Sequence, residues 1–179
     1  MSIPFLNFYL LSGLYFLCFS FFFEKGFIFD IKGSSGFPED DKIFYILGFL
    51  NSSVSQKCIK ILNPTVTTQV GDMARIPVAF IEKMKNQVES IVQQNIAISK
   101  ADWDSFETSW DFICHPLIRK YSTIIRAYSK WETTCTERFN MLKSNEEELN
   151  RIFIDIYGLQ DELTSEVEEK DVTVRRADL

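Results

Sequence analysis

Histidine is nearly absent from this sequence, which contains 1 in 179 residues. A single imidazole excludes every site that needs two of them, including the H-E-x-x-H zinc motif. The 4 cysteines lie far apart and form no C-x-x-C pair, so we interpret them as reduced thiols of an intracellular protein. The 7 glycines are scattered and form no glycine-rich loop for a nucleotide phosphate. The sequence therefore predicts neither a metal site nor a nucleotide site of these kinds.

The one histidine, His115, is followed directly by Pro116. A lone histidine at such a turn is usually a helix-end residue that bonds to the backbone, and we favour that interpretation over a catalytic role. Cys114 beside it would point to a different side of a helix, so the two side chains form no ligand set. We expect no catalytic residue at this turn.

A basic excess is also missing, since 19 Lys and Arg face 25 Asp and Glu. The acidity is local: residues 146–179 carry 11 acidic and 4 basic side chains, whereas residues 1–145 carry 14 acidic and 15 basic ones. This balance argues against a simple basic nucleic-acid tail. The chain is rich in apolar residues, because 46% are hydrophobic and 17 are Phe, which is enough to bury a core.

Residues 1–23 form a Phe-rich stretch without any charged side chain. A membrane-spanning helix needs roughly 20 apolar residues, so membrane insertion is one interpretation. The stretch has no preceding Lys or Arg and no small-residue cleavage site, and its aromatic residues do not form two belts. We favour a buried strand or helix of a core, with an altered start of the chain as a third alternative. We therefore predict a cytoplasmic protein without a membrane partner.

Mixed secondary structure is predicted ahead of residue 79. Residues 27–31 and 65–70 are rich in aromatic or β-branched side chains and predict strands. Residues 42–62 carry apolar side chains at intervals of three and four, which predicts an amphipathic helix ended by Asn63 and Pro64.

Helices are predicted throughout the rest of the chain. They cover residues 80–98, residues 103–112 after a capping box at Ser99 and Asp102, a long segment after Pro116 to residue 142, and residues 144–157 with a cap at Gly158. We expect an α+β fold in three segments. These are the atypical start 1–23, a β-containing part 24–78, and a mostly α-helical region 79–179 with an acidic C-terminal tail.

Several runs of the sequence carry a family resemblance. Residues 25–35, 45–50, 61–65 and 69–78 are similar to the later part of the target-recognition domain in large adenine-specific DNA methyltransferases. More specific are Trp103-Asp104-Ser105-Phe106, His115-Pro116-Leu117 and Asn150-Arg151-Ile152-Phe153 with their neighbours, which resemble the PglX family, the methyltransferases of type 1 BREX phage-exclusion systems. The similarity runs from about Phe21 to Leu179.

The resemblance implies a C-terminal portion of a site-specific adenine DNA methyltransferase, in which residues 24–78 are the end of the target-recognition domain. Such enzymes hold the extruded adenine with an Asn/Asp-Pro-Pro-aromatic tetrapeptide. The nearest string, Asn63-Pro64-Thr65-Val66, lacks the second proline and the aromatic ring, and the glycine-rich turn for S-adenosylmethionine is absent. We therefore expect no catalytic, cofactor-binding or metal-binding residue here. S-adenosylmethionine would bind only the complete enzyme, and this chain alone would be inactive.

Double-stranded DNA is the partner that the resemblance implies, together with the remainder of the methyltransferase or other BREX proteins. Lys32 and Arg75 are candidates to bind phosphates or guanine edges, and Gln69 is a candidate to read adenine. Ser34 and Ser35 are candidates to donate hydrogen bonds to phosphates. An alternative from a different class remains open: a helical protein-interaction or membrane-anchored module with no role on DNA.

Overall fold

The computed structural model describes residues 7–12, 18–23, 36–64, 70–118 and 122–177. The chain divides into two compact units. The first unit comprises Met1–Val92 with Leu149–Ser165, and the second comprises Gln93–Glu148 with Glu166–Leu179.

Five α-helices and two strands make up the regular structure of the described residues. The strands are β1 (Asn7–Ser12) and β2 (Cys18–Phe23), and the helices are α1 (Ile43–Leu50), α2 (Ser53–Leu62), α3 (Val70–Met73), α4 (Glu82–Trp103) and α5 (Ile124–Tyr157). Short 3-10 turns lie at Asp40–Lys42, Pro116–Ile118 and Glu169–Asp171. The two strands pair antiparallel, with Asn7 opposite Phe23 and Ser12 opposite Cys18.

The predicted α+β fold is wrong. The β-containing part was expected in residues 24–78, yet the described residues of that segment form α1, α2 and α3 and contain no strand. Val70, expected at the end of a strand, begins α3, while residues 27–31 and 65–69 lie outside the described part. β-branched composition is a weak guide because strand propensity depends on cross-strand packing. Apart from the short β1–β2 pair, the described chain is helices and turns.

The helix predicted over residues 42–62 is two helices. Ser52 separates them: its hydroxyl donates to the Phe49 carbonyl at 2.7 Å and accepts from the Ser55 backbone nitrogen at 3.4 Å, which caps α2. Serine at this position satisfies a backbone donor that a helix start leaves free. The predicted stop at Asn63 and Pro64 is confirmed, since α2 ends at Leu62.

The core of the first unit is aromatic and tightly packed. Phe153 of α5 meets Tyr45 and Phe49 of α1 edge to face, with ring centroids 5.6 and 5.4 Å apart. Gly48 lies against α4, where an added Cβ would come within 2.8 Å of Val92 Cγ2. A glycine is therefore required where α1 and α4 approach each other.

The second unit has its own apolar core. Phe139 and Leu142 of α5 pack with Val172 and Val174 of the C-terminal segment. Because α5 runs without interruption from Ile124 to Tyr157, the restart predicted at residue 144 is wrong. The apolar stripe on either side of that position simply continues with helical spacing.

The helix predicted over residues 103–112 is also wrong. Ser99 lies inside α4, which ends at Trp103, and residues 104–111 form turns. Polar side chains stabilise these turns: Lys100 pairs with Asp104 at 3.2 Å and Asp111 at 2.6 Å, and the Ser109 hydroxyl donates to Asp104 at 2.6 Å. Short polar side chains that bond locally compete with helix formation.

The predicted cap of α5 is confirmed at Gly158. This glycine has a φ of 66°, in the left-handed region, and its backbone nitrogen donates to the Asp155 carbonyl at 3.3 Å. The Leu159 nitrogen donates to the Ile154 carbonyl at 3.0 Å, which completes a Schellman motif. Among the helices of the described residues, none combines the length and apolar character that a membrane crossing requires.

Candidate nucleic-acid interface

One of the predicted DNA-binding residues, Arg75, lies in the described part of the chain. Lys32, Ser34, Ser35 and Gln69 lie outside it, so their assignment stays a prediction. Arg75 is exposed and follows α3 in a turn.

The backbone around Arg75 is held by a compact turn. The Arg75 nitrogen donates to the Asp72 carbonyl at 3.1 Å, and the Ile76 nitrogen donates to the Met73 carbonyl at 3.2 Å. The Ile76 side chain is only 6% exposed, whereas its neighbour Arg75 is exposed. Because Ile76 is buried, the backbone of this turn is fixed in place and the Arg75 side chain lies in solvent.

A side-chain bond joins this turn to the preceding helix. The Asn63 amide donates to the Asp72 carboxylate at 2.6 Å, from the end of α2 to α3. Bonds to a charged acceptor are stronger than neutral ones. The charge of Asp72 is therefore partly satisfied by the asparagine.

Two tyrosines hold the segment that follows Arg75. The Tyr157 hydroxyl donates to the Pro77 carbonyl and accepts from the Ala79 nitrogen at 2.7 Å. The Tyr45 hydroxyl donates to the Ala79 carbonyl at 3.0 Å and accepts from the Ile81 nitrogen at 3.3 Å. Burial is the main cause that raises the pKa of both phenols above its usual value.

The sequence analysis did not predict the role of these hydroxyls. The Tyr45 ring is fully buried, and the half-buried Tyr157 ring stacks on Phe49 at a centroid distance of 5.6 Å. A buried tyrosine needs a partner for its O–H, and this requirement is the signal that was available. The sequence does not reveal which backbone groups supply that partner.

Three lysines or arginines of the first unit make no ion pair among the described residues: Lys60, Arg75 and Lys83. All three side chains are exposed. Other cations of this unit are engaged, since Lys57 pairs with Glu162, and Lys85 pairs with Asp41 at 3.3 Å. Exposed, unpaired cations are the groups that neutralise DNA phosphates. The first unit therefore carries three exposed cations that make no ion pair within the described ranges.

His115 in the second unit has the structural role predicted for it. Its Nδ1 accepts from the Leu117 nitrogen at 3.3 Å, and its ring lies 5.2 Å from the Trp131 ring. No group of three or more His, Cys, Asp or Glu side chains able to hold a metal occurs in the described ranges.

The acidic run that starts at Glu146 lies within a long helix. Glu146, Glu147 and Glu148 are inside α5 and not at the start of a separate helix over residues 144–157. Burial, followed by the charges of Asp171 and Glu147, raises the pKa of Glu146 to about 7. Glu147 accepts a hydrogen bond from the Val167 nitrogen at 3.3 Å. Glu147 thus connects α5 to the C-terminal segment.

Comparison with known proteins finds that the chain is similar to a part of two adenine-specific methyltransferases. The adenine-specific methyltransferase PglX of Lacticaseibacillus casei (strain Zhang) is 44% identical over 161 residues, which is 86% of this chain. The adenine-specific methyltransferase BrxX of Escherichia coli O9:H4 (strain HS) is 31% identical over 150 residues, or 82% of this chain. The chain is thus related to PglX and BrxX, which confirms the resemblance found in the sequence.

The chain is much shorter than these relatives. Its matches span 13% of the length of PglX and 12% of the length of BrxX. No protein-family model matches the chain.

Proposed function

We propose that this chain is a DNA-contacting part of a site-specific adenine DNA methyltransferase of a BREX phage-defence system, and that it does not itself hold the methyl-transfer centre. The observation that carries the proposal is the 44% identity to a methyltransferase, in a match that spans 13% of the length of that enzyme. In this proposal, other parts of the enzyme bind S-adenosylmethionine and the flipped adenine, and this part helps to bind the DNA duplex. The enzyme acts in the cytoplasm.

Arg75 and the exposed lysines supply the DNA contact. A guanidinium on a held backbone loses little conformational freedom when it binds a phosphate or a guanine edge. The cations Lys60, Arg75 and Lys83 lie on separate segments of the first unit. They add to the phosphate neutralisation of the complete enzyme without a large net positive charge in this part.

Fluorescence anisotropy with a labelled duplex tests the DNA contact directly. Arg75→Gln is expected to weaken binding by about threefold to tenfold, since the neutral side chain no longer pairs with a phosphate or a guanine edge. Lys170→Gln is the matched control, because Lys170 is exposed and pairs with Glu168 at 2.6 Å in the second unit. Equal affinities of the two variants for the duplex would contradict the assignment of Arg75.

Labelled S-adenosylmethionine tests the other half of the proposal. The purified chain is expected to transfer no methyl group to DNA. Incorporation above the level of a protein-free control would show a methyl-transfer centre in this chain and would contradict the proposed division of work.

We propose that the second unit binds a protein partner, either the remainder of the methyltransferase or another BREX protein. Large apolar side chains stand exposed there, with fractions of 96% for Trp110, 83% for Ile113 and 86% for Ile124. Such exposure is typical of surfaces that bind protein. The alternative hypothesis, a helical protein-interaction or membrane-anchored module, predicts no binding to the duplex. The anisotropy measurement above therefore distinguishes it from the DNA-contacting part proposed here.

A further inference from the structure

Exposed apolar side chains are concentrated in the connecting segment, residues 103–125, which joins α4 to α5 within the second unit. Of the 13 large apolar side chains that are exposed among the described residues, 8 lie in this segment. Trp110, Ile124 and Ile113 are the most exposed of them. The proposed DNA contact uses none of these side chains.

The exposed apolar area of the connecting segment is large. Trp103 and Trp110, which are 56% and 96% exposed, together present about 300 Å² of side-chain surface, and the other six side chains add to it. The largest apolar patch on a typical monomer covers about 300–600 Å², and larger ones mark surfaces that bind another protein. The connecting segment therefore carries the apolar area of a protein interface.

Trp110 lies on a backbone that is fixed on both sides. The hydroxyl of the buried Ser109 accepts from the Asp111 nitrogen at 3.1 Å and donates to the Asp104 carboxylate at 2.6 Å. The Lys100 ammonium pairs with both of these carboxylates. A tryptophan on an ordered backbone loses little conformational entropy when it binds, which is typical of the residues that anchor an interface.

The charges around Trp110 favour a protein over a nucleic acid as the occupant. Residues 104–111 contain three acidic side chains and no basic one. Two of the three pair with Lys100, whereas Glu107 is exposed and makes no ion pair among the described residues. Acidic side chains repel the phosphates of DNA and of anionic lipids. The charge distribution thus matches a protein surface in which an apolar pocket takes Trp110 and a basic side chain pairs with Glu107.

The length of the relatives indicates which protein this is. The matches span 13% and 12% of the two methyltransferases, so most of each enzyme lies outside the matched part. Two parts of one polypeptide meet at a high effective concentration. An intramolecular partner therefore covers an apolar surface even where the contact by itself is weak.

We propose that Trp110 is the anchor by which the connecting segment packs into an apolar pocket on the remainder of the methyltransferase. The inference rests on the proposed function, because it requires the chain to be part of a methyltransferase, and it selects one of the two protein partners considered there. It does not involve Arg75, so the DNA contact is tested separately.

A chimera tests the contact, in which this chain replaces the similar segment of the complete PglX of Lacticaseibacillus casei. Hydroxyl-radical footprinting with mass spectrometry compares the oxidation of Trp110 in the chimera and in the free chain. Met141, exposed on α5 outside the connecting segment, is the internal reference. The ratio of the Trp110 rate to the Met141 rate is expected to fall at least about fivefold in the chimera, since an anchor is desolvated in its pocket. An unchanged ratio would overturn the proposal, as would a fall only at high enzyme concentration, which would assign the surface to a second copy.

Amide hydrogen exchange of residues 104–118 separates a docking role of Trp110 from a structural one. Trp110→Ala is expected to speed exchange at least about tenfold in the chimera and to leave it unchanged in the free chain, where the ring lies in solvent. Ile61→Ala is the matched control, because Ile61 is an exposed apolar residue of the first unit, and it is expected to change neither. Faster exchange in the free chain, or no change in the chimera, would overturn the proposal.

Intact PglX keeps the proposal falsifiable if the chimera fails to fold. The part of PglX that aligns with residues 104–118 is expected to exchange at least about tenfold more slowly than those residues do in the free chain. Equal protection-corrected rates would overturn the proposal.

Duplex affinity of the free chain, measured by anisotropy, distinguishes this inference from the DNA contact. Trp110→Ala is expected to leave the affinity unchanged, and a fall would assign the connecting segment to DNA and overturn the proposal. Absence of duplex binding by the parent chain would contradict the DNA contact alone.

Discussion

The hydroxyl oxygen of Tyr157 lies 2.7 Å from the backbone nitrogen of Ala79, which joins the end of α5 to the segment that follows Arg75. The same hydroxyl donates to the Pro77 carbonyl, so one side chain satisfies two backbone groups of this segment. The position of the candidate DNA contact therefore depends on a residue far away in the sequence. This relationship leads to the first prediction.

Tyr157→Phe is expected to lower the free energy of unfolding by about 1–3 kcal/mol, because the ring stays in the core while two backbone groups lose their partner. Chemical denaturation with urea measures the change. Tyr128→Phe is the matched control: Tyr128 lies on the same helix and makes no hydrogen bond within the described part. Equal stabilities of the two variants would show that the hydroxyl of Tyr157 is unimportant.

Gly48→Ala is expected to destabilise the first unit by about 1–3 kcal/mol, because the new Cβ would lie 2.8 Å from Val92 Cγ2 in a packed core. The general preference of helices for Ala over Gly opposes this by about 0.5–1 kcal/mol. Gly71→Ala serves as the control, since nothing lies within 4 Å of a Cβ there. A Gly48→Ala chain as stable as the parent would mean that α1 and α4 are not in close contact.

Stability is expected to fall as the pH rises from about 4.5 to about 7, because of Glu146. Its folded-state pKa of about 7 lies above the ordinary value of 4.5, so the folded chain binds the proton more tightly than the unfolded chain. The stability that the protonated carboxyl contributes is fully present below pH 4.5, the ordinary pKa, and is lost as the pH rises through the folded-state pKa of about 7.

Glu146→Gln tests this titration. The variant is expected to be about 1–3 kcal/mol more stable than the parent at pH 8 and nearly equal to it at pH 4.5. Urea denaturation at both pH values gives the comparison, with Glu132→Gln as the control on an exposed face of α5. A stability difference that does not change with pH would contradict the assignment to Glu146.

The parts of the fold that local signals determine were predictable. Helix α2 ends where Asn63 and Pro64 predict, and Gly158 caps α5, because proline and glycine act on their own backbone. The turns at residues 104–111 were not predictable, since they depend on Lys100 reaching Asp111 across the turn. Side-chain bonds of this kind override the apolar periodicity that indicated a helix.

The candidate site was predictable only in part. Arg75 was selected by residue type, and the structure leaves it exposed. Tyr45 and Tyr157, which hold the following segment, could not be selected, because their partners are backbone groups brought close by folding. The unpaired state of Lys60 likewise depends on which acids the fold brings near.

The salt dependence of duplex binding tests the central claim most directly, because it measures how many phosphates the protein neutralises. The logarithm of the association constant falls linearly with the logarithm of the salt concentration, by about 0.9 for each phosphate neutralised on duplex DNA. The full chain and its Lys60→Gln, Arg75→Gln, Lys83→Gln triple variant are compared by anisotropy between about 50 and 200 mM salt. The account predicts that the full chain binds and that the triple variant has a shallower slope, by about 0.9 for each phosphate that it no longer neutralises. Equal slopes, or no duplex binding by the full chain at the lowest salt concentration, would contradict it.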